Sequence, residues 1–191
     1  RLLEKIKSMN IDGTYIDIGA HHGNHSVFFD KFCKSTRVIS IEGNPFNFRY
    51  LCSNIKNNNC NNILYNKIIS DKGGERLTMQ YNMQNTGMSK VVDNAVEGDN
   101  TIVNFTDTID NILKDESEIS LIKIDVENYE YNVLVGSEKI IEKHHPIIII
   151  ELHTTNPHYN KIKNLLAKHN YVSDNINYAA SPTYIYTHVK R

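Results

Sequence analysis

Acidic, hydroxyl and imidazole side chains recur where five apolar runs end. Tyr15-Ile-Asp-Ile-Gly19 delivers Asp17 and Gly19, Val38-Ile-Ser-Ile-Glu42 delivers Glu42, and Ile63 to Ile69 leads into Ser70 and Asp71. Ile119 to Ile124 leads into Asp125 and Glu127, and Ile147 to Leu152 carries Glu151 and is followed by His153. Apolar runs of this length between helical patterns read as strands of an open α/β sheet, whose ligands sit outside the carboxyl ends of the strands. Polar strand ends are ordinarily just solvated. Five successive ends of one character point instead to a shared site. Carboxylates there can accept from ligand hydroxyls, balance a cation or gather a hard divalent metal, and a histidine can move a proton near neutral pH.

The first of these ends narrows the ligand. A strand runs into a glycine turn, a helix follows, and the next strand ends on Glu42, where a carboxylate can accept from both hydroxyls of a ribose. A dinucleotide turn reads G-x-G-x-x-G, so that backbone N–H groups meet a pyrophosphate. Here Gly19 and Gly23 enclose Ala20, His21 and His22, and Asp17 stands two residues before the first glycine. A carboxylate suits a ligand with an amino group and a sulfonium better than a pyrophosphate. The turn therefore favours S-adenosylmethionine over NAD.

These residues need a three-layer scaffold, and 191 residues suffice for one such domain. Net charge is -1, without the basic bias of nucleic-acid binding. The longest apolar run is far too short to cross a bilayer. Cys33, Cys52 and Cys60 are odd in number and lack C-x-x-C spacing, which fits reduced thiols and a cytoplasmic location. The chain starts at Arg1 inside a helical pattern, so a single domain excised from a longer polypeptide is expected.

Helices are predicted over Arg1 to Met9, through Val27 to Phe32, from Asn44-Pro45 to about Ile55, over Thr106 to Leu113, Glu130 to Glu142 and Asn156 to His169. Strands are predicted over Thr14 to Ile18, Arg37 to Ile41, Ile63 to Ile69, Arg76 to Tyr81, Ile119 to Ile124 and Ile147 to Leu152. Tyr171 to Ile176 and Thr183 to Val189 form a closing pair. Strand–helix alternation implies a mostly parallel, doubly wound, Rossmann-like α/β sheet; the closing pair, joined by few residues, must be antiparallel. Asn82 to Gly98 is a polar candidate active-site loop.

Lys123-Ile-Asp-Val-Glu-Asn-Tyr-Glu130, Val133-Leu-Val-Gly136 and Pro146 to Glu151 with His153 resemble the FkbM-type S-adenosylmethionine-dependent methyltransferases, which implies a Rossmann-like class I methyltransferase fold. Asp17-Ile-Gly-Ala20 with Gly23, Ile41-Glu-Gly-Asn-Pro45, Asn54, Ser70-Asp71 and Asn85-Thr-Gly87 follow that family's order. Asn128 stands where the family usually has Gly, and His21 where it usually has Asn. The resemblance implies that Asp17 and Gly19 border the methionine moiety, with Ala20 and Gly43 beside the cofactor. It further implies that Glu42 binds the ribose, that Ser70 and Asp71 flank the adenine, and that Asp125 faces the transferring methyl and the acceptor.

An aliphatic hydroxyl needs a positioned base, a metal or both to become a nucleophile. His153 is the candidate base, Asp125 is the alternative base or the group that orients it, and Glu127 is a further catalytic candidate. Asp125, Glu127, Glu151 and His153 together could hold a cation such as Mg²⁺. Lys123 is expected to neutralise a carboxylate. The expected function is O-methylation of a sugar or glycan hydroxyl, since each acceptor hydroxyl would find a polar partner. A natural-product hydroxyl is the alternative acceptor, and glycosyltransferase domains could be covalently linked in the parent chain. An NAD-dependent oxidoreductase and a non-catalytic cofactor-binding module remain as rival readings.

Overall fold

The computed structural model of the protein describes residues 1–81, 89–92 and 100–190. Its main sheet has seven strands, formed by β1 (Gly13–Ile18), β2 (Ser35–Ile41), β3 (Ile63–Tyr65), β8 (Ile119–Ile124), β9 (Ile147–Glu151), β10 (Tyr171–Ser173) and β11 (Thr183–His188). Their order is β10-β11-β9-β8-β1-β2-β3. Neighbours from β9 to β3 run parallel, and β11 lies antiparallel between β9 and β10. The strand order reverses between β1 and β8, which is where a doubly wound sheet opens a crevice for ligand. The expected mixed topology is present.

Period-two alternation assigns the two faces of the sheet. Ile16 and Ile18, Ile122 and Ile124, and Ile148 and Ile150 share one core with α4 (Ile109–Ile112), α5 (Glu130–Val135), α6 (Glu138–His144) and α7 (Tyr159–Lys168). Tyr15, Leu121 and Ile149 face the other way, onto Leu2 and Ile6 of α1 (Leu2–Met9) and Phe29 of α2 (Asn24–Phe32). Two residues further along each strand on this second face come Asp17, Lys123 and Glu151. The alternation that builds the core thus carries three charged side chains onto the α1/α2 side of the strand exits.

A second sheet was not anticipated. It runs β4-β7-β5-β6, from β4 (Ile68–Ile69), β5 (Arg76–Gln80), β6 (Lys90–Val92) and β7 (Thr101–Asp107). The predicted strand Ile63–Ile69 is therefore two strands in two sheets. Between them the Asn66 amide donates to the Glu42 carbonyl oxygen at 2.7 Å and turns the chain across the end of β2. The predicted helix at Thr106 begins only at Ile109, because Thr106 and Asp107 complete β7 and Thr108 caps α4 through its hydroxyl, which accepts from Asn111 N–H. α7 likewise begins at Tyr159, after Asn156 has turned its side chain to accept from His158 N–H. The expected loop over Asn82 to Gly98 includes Ser89 and β6, and the rest of it, with Asn85-Thr-Gly87, lies outside the described residues.

The predicted helix Glu130–Glu142 breaks into α5 and α6 at Gly136-Ser137. A Cβ on Gly136 would overlap the carbonyl oxygen of Ser70, so the break is a close approach between α5 and the exit of β4. Gly136→Ala is expected to cost about 2–3 kcal/mol in urea unfolding. Gly74→Ala, at φ +82 with open space around it, is expected to cost only about 1 kcal/mol.

Candidate active site

The crevice at the β1/β8 switch point holds a cavity of 340 Å³. Its walls include Gly19, Ala20 and His21 after β1, Glu42 and Gly43 after β2, Ile69, and Lys123, Asp125 and Glu127 at and after β8. Gly19 adopts φ +75, and a Cβ there would overlap the Asp125 carbonyl oxygen, so only glycine lets these two strand exits meet.

Glu42 is buried at one end. Its Oε2 accepts from His21 N–H and its Oε1 from Asn44 N–H, both at 2.8 Å. The Asn47 side chain bonds the same carboxyl, and with two lone-pair sites on each oxygen the clamp leaves part of the acceptor capacity for a ligand. Burial pushes the Glu42 carboxyl up to about 7, against the pull of the two backbone hydrogen bonds.

At the other end Lys123 lies buried between two carboxylates, 3.1 Å from Asp125 Oδ2 and 3.5 Å from Asp17 Oδ1. Burial would lower the lysine, but the attraction of Asp125 and Asp17 outweighs it and raises its pKa. Burial would raise Asp125, and Lys123 more than reverses this. Asp17 sits behind the wall: its Oδ2 accepts from the Ser26 hydroxyl at 2.6 Å, while its buried Oδ1 has no hydrogen-bond partner.

Other predicted residues fall outside the cavity wall. Ser70 hydrogen-bonds Tyr129, which does line the cavity, and Asp71 takes bonds from Ser70 and Asn132 while exposed to solvent. Those bonds outweigh the upward pull of its partial burial and hold the Asp71 carboxyl low. His153 lies beyond the end of β9, pairs with Glu151 Oε1 at 3.0 Å and lines a small hollow with Glu127 and Glu151. It thus reaches the main cavity only through those carboxylates. Burial, with Asp125 and Glu151 nearby, raises Glu127.

The quartet Asp125, Glu127, Glu151 and His153 does not converge. Among the described residues, the one group of three or more His, Cys, Asp or Glu ligand atoms within 4.8 Å of one another is Glu138, Glu142 and His169, away from this site. The expected Mg²⁺ therefore finds no gathered ligand set here.

Sequence reasoning missed His25, in the first turn of α2, and His22. Both line the main cavity. The signal available was Asp17: whatever helix covers its face must present its first turn to the same strand exits. A second cavity of 620 Å³ adjoins the first on the α1/α2 side, between α1, Phe28 and the segment Tyr178 to Thr183.

Titration of Glu42 has a definite sign. With a folded pKa near 7 against an ordinary 4.5, the folded state keeps a proton that the unfolded chain has released between those values, so this residue's contribution to stability falls as pH rises through that window. Glu42→Gln does not titrate. Relative to the unsubstituted protein it is expected to gain about 1–3 kcal/mol between pH 4.5 and 8 in ligand-free unfolding; a constant difference would contradict the burial of this carboxylate.

Comparisons with known proteins agree with this geometry. In a search of solved structures, a methyltransferase FkbM from Methylobacillus flagellatus KT superposes with a TM-score of 0.67 at 19% identity, over 92% of this chain and 43% of that one. The chain thus spans less than half the length of that relative. An rRNA methylase from Streptococcus thermophilus gives 0.60 at 9% identity, covering 99% and 95% of the two chains. A precorrin-6y C5,15-methyltransferase from Geobacter metallireducens GS-15 gives 0.53 at 18%, covering 99% and 85%. No curated protein matches in sequence. Among the described residues no helix is long and apolar enough to cross a membrane. Residues 17–173 match the Methyltransferase FkbM domain, a stretch that holds both ends of the cavity, and the chain belongs to that methyltransferase family.

Proposed function

We propose that this chain is an S-adenosylmethionine-dependent O-methyltransferase whose acceptor is a hydroxyl of a sugar or glycan. The observation that carries the cofactor reading is the placement of charge in one cavity. Glu42 presents a carboxyl held by backbone N–H groups at one end, as a ribose hydroxyl needs, and one buried ammonium stands between two carboxylates at the other. That second end has an excess negative charge for an amino group and a sulfonium. Asp17 acts on that end from behind the wall, through its charge and its pairing with Lys123.

The residues present fit the group. Glu42 would hold the ribose, Gly19 and Ala20 would border the methionine moiety, and Ile68, Ile69 and Tyr129 would wall the adenine end, with Ser70 and Asp71 behind Tyr129. When bound, S-adenosylmethionine supplies an electrophilic methyl on a sulfonium. The protein's part is to align an acceptor oxygen, exclude water and receive a proton. Asp125 stands at the meeting point of the two cavities and would orient the acceptor hydroxyl, held in place by Lys123. Five polar side chains at that meeting point (His25, Lys123, Asp125, Glu151 and Ser181) suit a polyhydroxylated acceptor, since a buried hydroxyl without a partner is costly.

Calorimetric titration with S-adenosylhomocysteine tests the cofactor. Micromolar binding is expected, with NAD giving none. Asp17→Asn, which keeps the shape and removes the charge, is expected to weaken binding of S-adenosylmethionine about tenfold. Its affinity for S-adenosylhomocysteine, which lacks the sulfonium charge, should fall less. Binding of NAD and not of S-adenosylhomocysteine would overturn the reading.

A further inference from the structure

We propose that His25 is the base of the reaction, taking the proton of an acceptor hydroxyl that arrives through the second cavity. This rests on the cofactor reading above and adds to it the catalytic residue and the acceptor's route. The two cavities share His25, Lys123, Asp125, Glu151 and Ser181. Among the described residues His25 is the one histidine lining both; His21 and His22 line the first alone, and His153 lines neither.

The placement follows from the sheet. Asp17 and Lys123 are register partners on β1 and β8, and Glu151 of β9 points to the same face. α2 is the helix that packs over that face, and its hydrogen bond from Ser26 to Asp17 fixes the neighbouring His25 above the charged row. The groups facing the imidazole are Lys123 and Asp125 from β8 and its exit, Asp17 from β1, and Glu151 from β9; α1 adds Arg1 and Glu4 on the second cavity's wall.

The chemistry balances. As the acceptor oxygen's lone pair forms the bond to the methyl carbon, the carbon–sulfur bond breaks with its electron pair left on sulfur, and the hydroxyl proton passes to a His25 ring nitrogen. The ether and the thioether are neutral, and the positive charge that was on sulfur now rests on the imidazolium beside Asp17 and Asp125. The proton then leaves to solvent. Burial and Lys123 lower His25 against the pull of Asp17 and Asp125, which keeps the imidazole neutral and able to accept. The second cavity sets aromatic rings, Phe28 and Tyr178, near polar Ser181 and Thr183. That combination suits the apolar ring face and hydroxyl edges of a sugar.

The test does not require the acceptor. Histidine-labelled protein is titrated by NMR with S-adenosylhomocysteine and with sinefungin, which places a protonated amine where the methyl sulfonium would be. His25→Gln assigns the His25 resonance. The His25 midpoint is expected to lie about one pH unit lower with sinefungin than with S-adenosylhomocysteine, because a cation then stands beside it, while His153 stays put. In methyl transfer to methyl glycosides, His25→Gln is expected to lose about a hundredfold in turnover, with its dissociation constant for S-adenosylhomocysteine unchanged. Binding of both ligands with no difference at His25, or a difference at His153 instead, overturns this proposal alone. Binding of neither ligand brings down the cofactor reading and this proposal with it.

Discussion

A lysine ammonium cannot be buried alone, and the site is organised around that constraint. Lys123 is itself buried, one residue before the end of a strand buried over most of its length, so its charge must be met within reach of its own side chain. Asp17 meets it from the adjacent strand in direct register, and Asp125 from two residues further on, just past the end of β8. The contact with Asp17 requires the β1 and β8 exits to lie side by side, which Gly19 permits by bringing its backbone against the Asp125 carbonyl. The pairing thus places at the switch point a set with more negative than positive charge, closed to water on the core side and open to the cavity.

The far end of the cavity is built differently. Glu42 is held by backbone N–H groups, and the exit of β2 is clamped from outside by the second sheet's neighbourhood. Asn66 donates to the Glu42 carbonyl at 2.7 Å and Asn104 of β7 to the Gly43 carbonyl at 2.8 Å. Asn44 reaches Ser89, just before β6, at 2.9 Å. The added sheet therefore does more than extend the fold. It fixes the segment that presents Glu42, and Ile68, Met79 and Val91 supply apolar wall beside it.

The main sheet was legible because β1, β8 and β9 are nearly continuous apolar runs, the mark of strands buried on both faces. Their polar ends were legible for the same reason. The split at Asn66 was not, since Ile63 to Ile69 reads as one run until Asn66 is seen bonding to the end of β2. β7 was missed because Thr101 to Asp107 is half-exposed and weakly alternating. His153 followed the strand periodicity of Glu151, but the chain turns at Leu152, whose N–H bonds Pro182 O, and leaves the imidazole beyond the cavity. His25 has no signature of its own; it becomes legible only once Asp17 is assigned to the face that α2 covers.

The loop after β8 shows how the fold holds an unfavourable backbone at the site. Glu127 and Asn128 both take left-handed conformations, at φ 51 and φ 74, which cost a non-glycine residue about 1 kcal/mol or more each. Asn tolerates this region better than most residues, which accounts for Asn128 where the family usually has glycine. Glu130 secures the turn. Its Oε1 accepts from Asn128 N–H at 3.1 Å and its Oε2 from the Asn156 amide at 2.7 Å, and burial pushes its carboxyl up to about 7. A buried carboxyl with both oxygens occupied by the loop and by the segment before α7 ties these two pieces together. The turn is thereby kept tight enough for Asp125 and Glu127 to face the cavity.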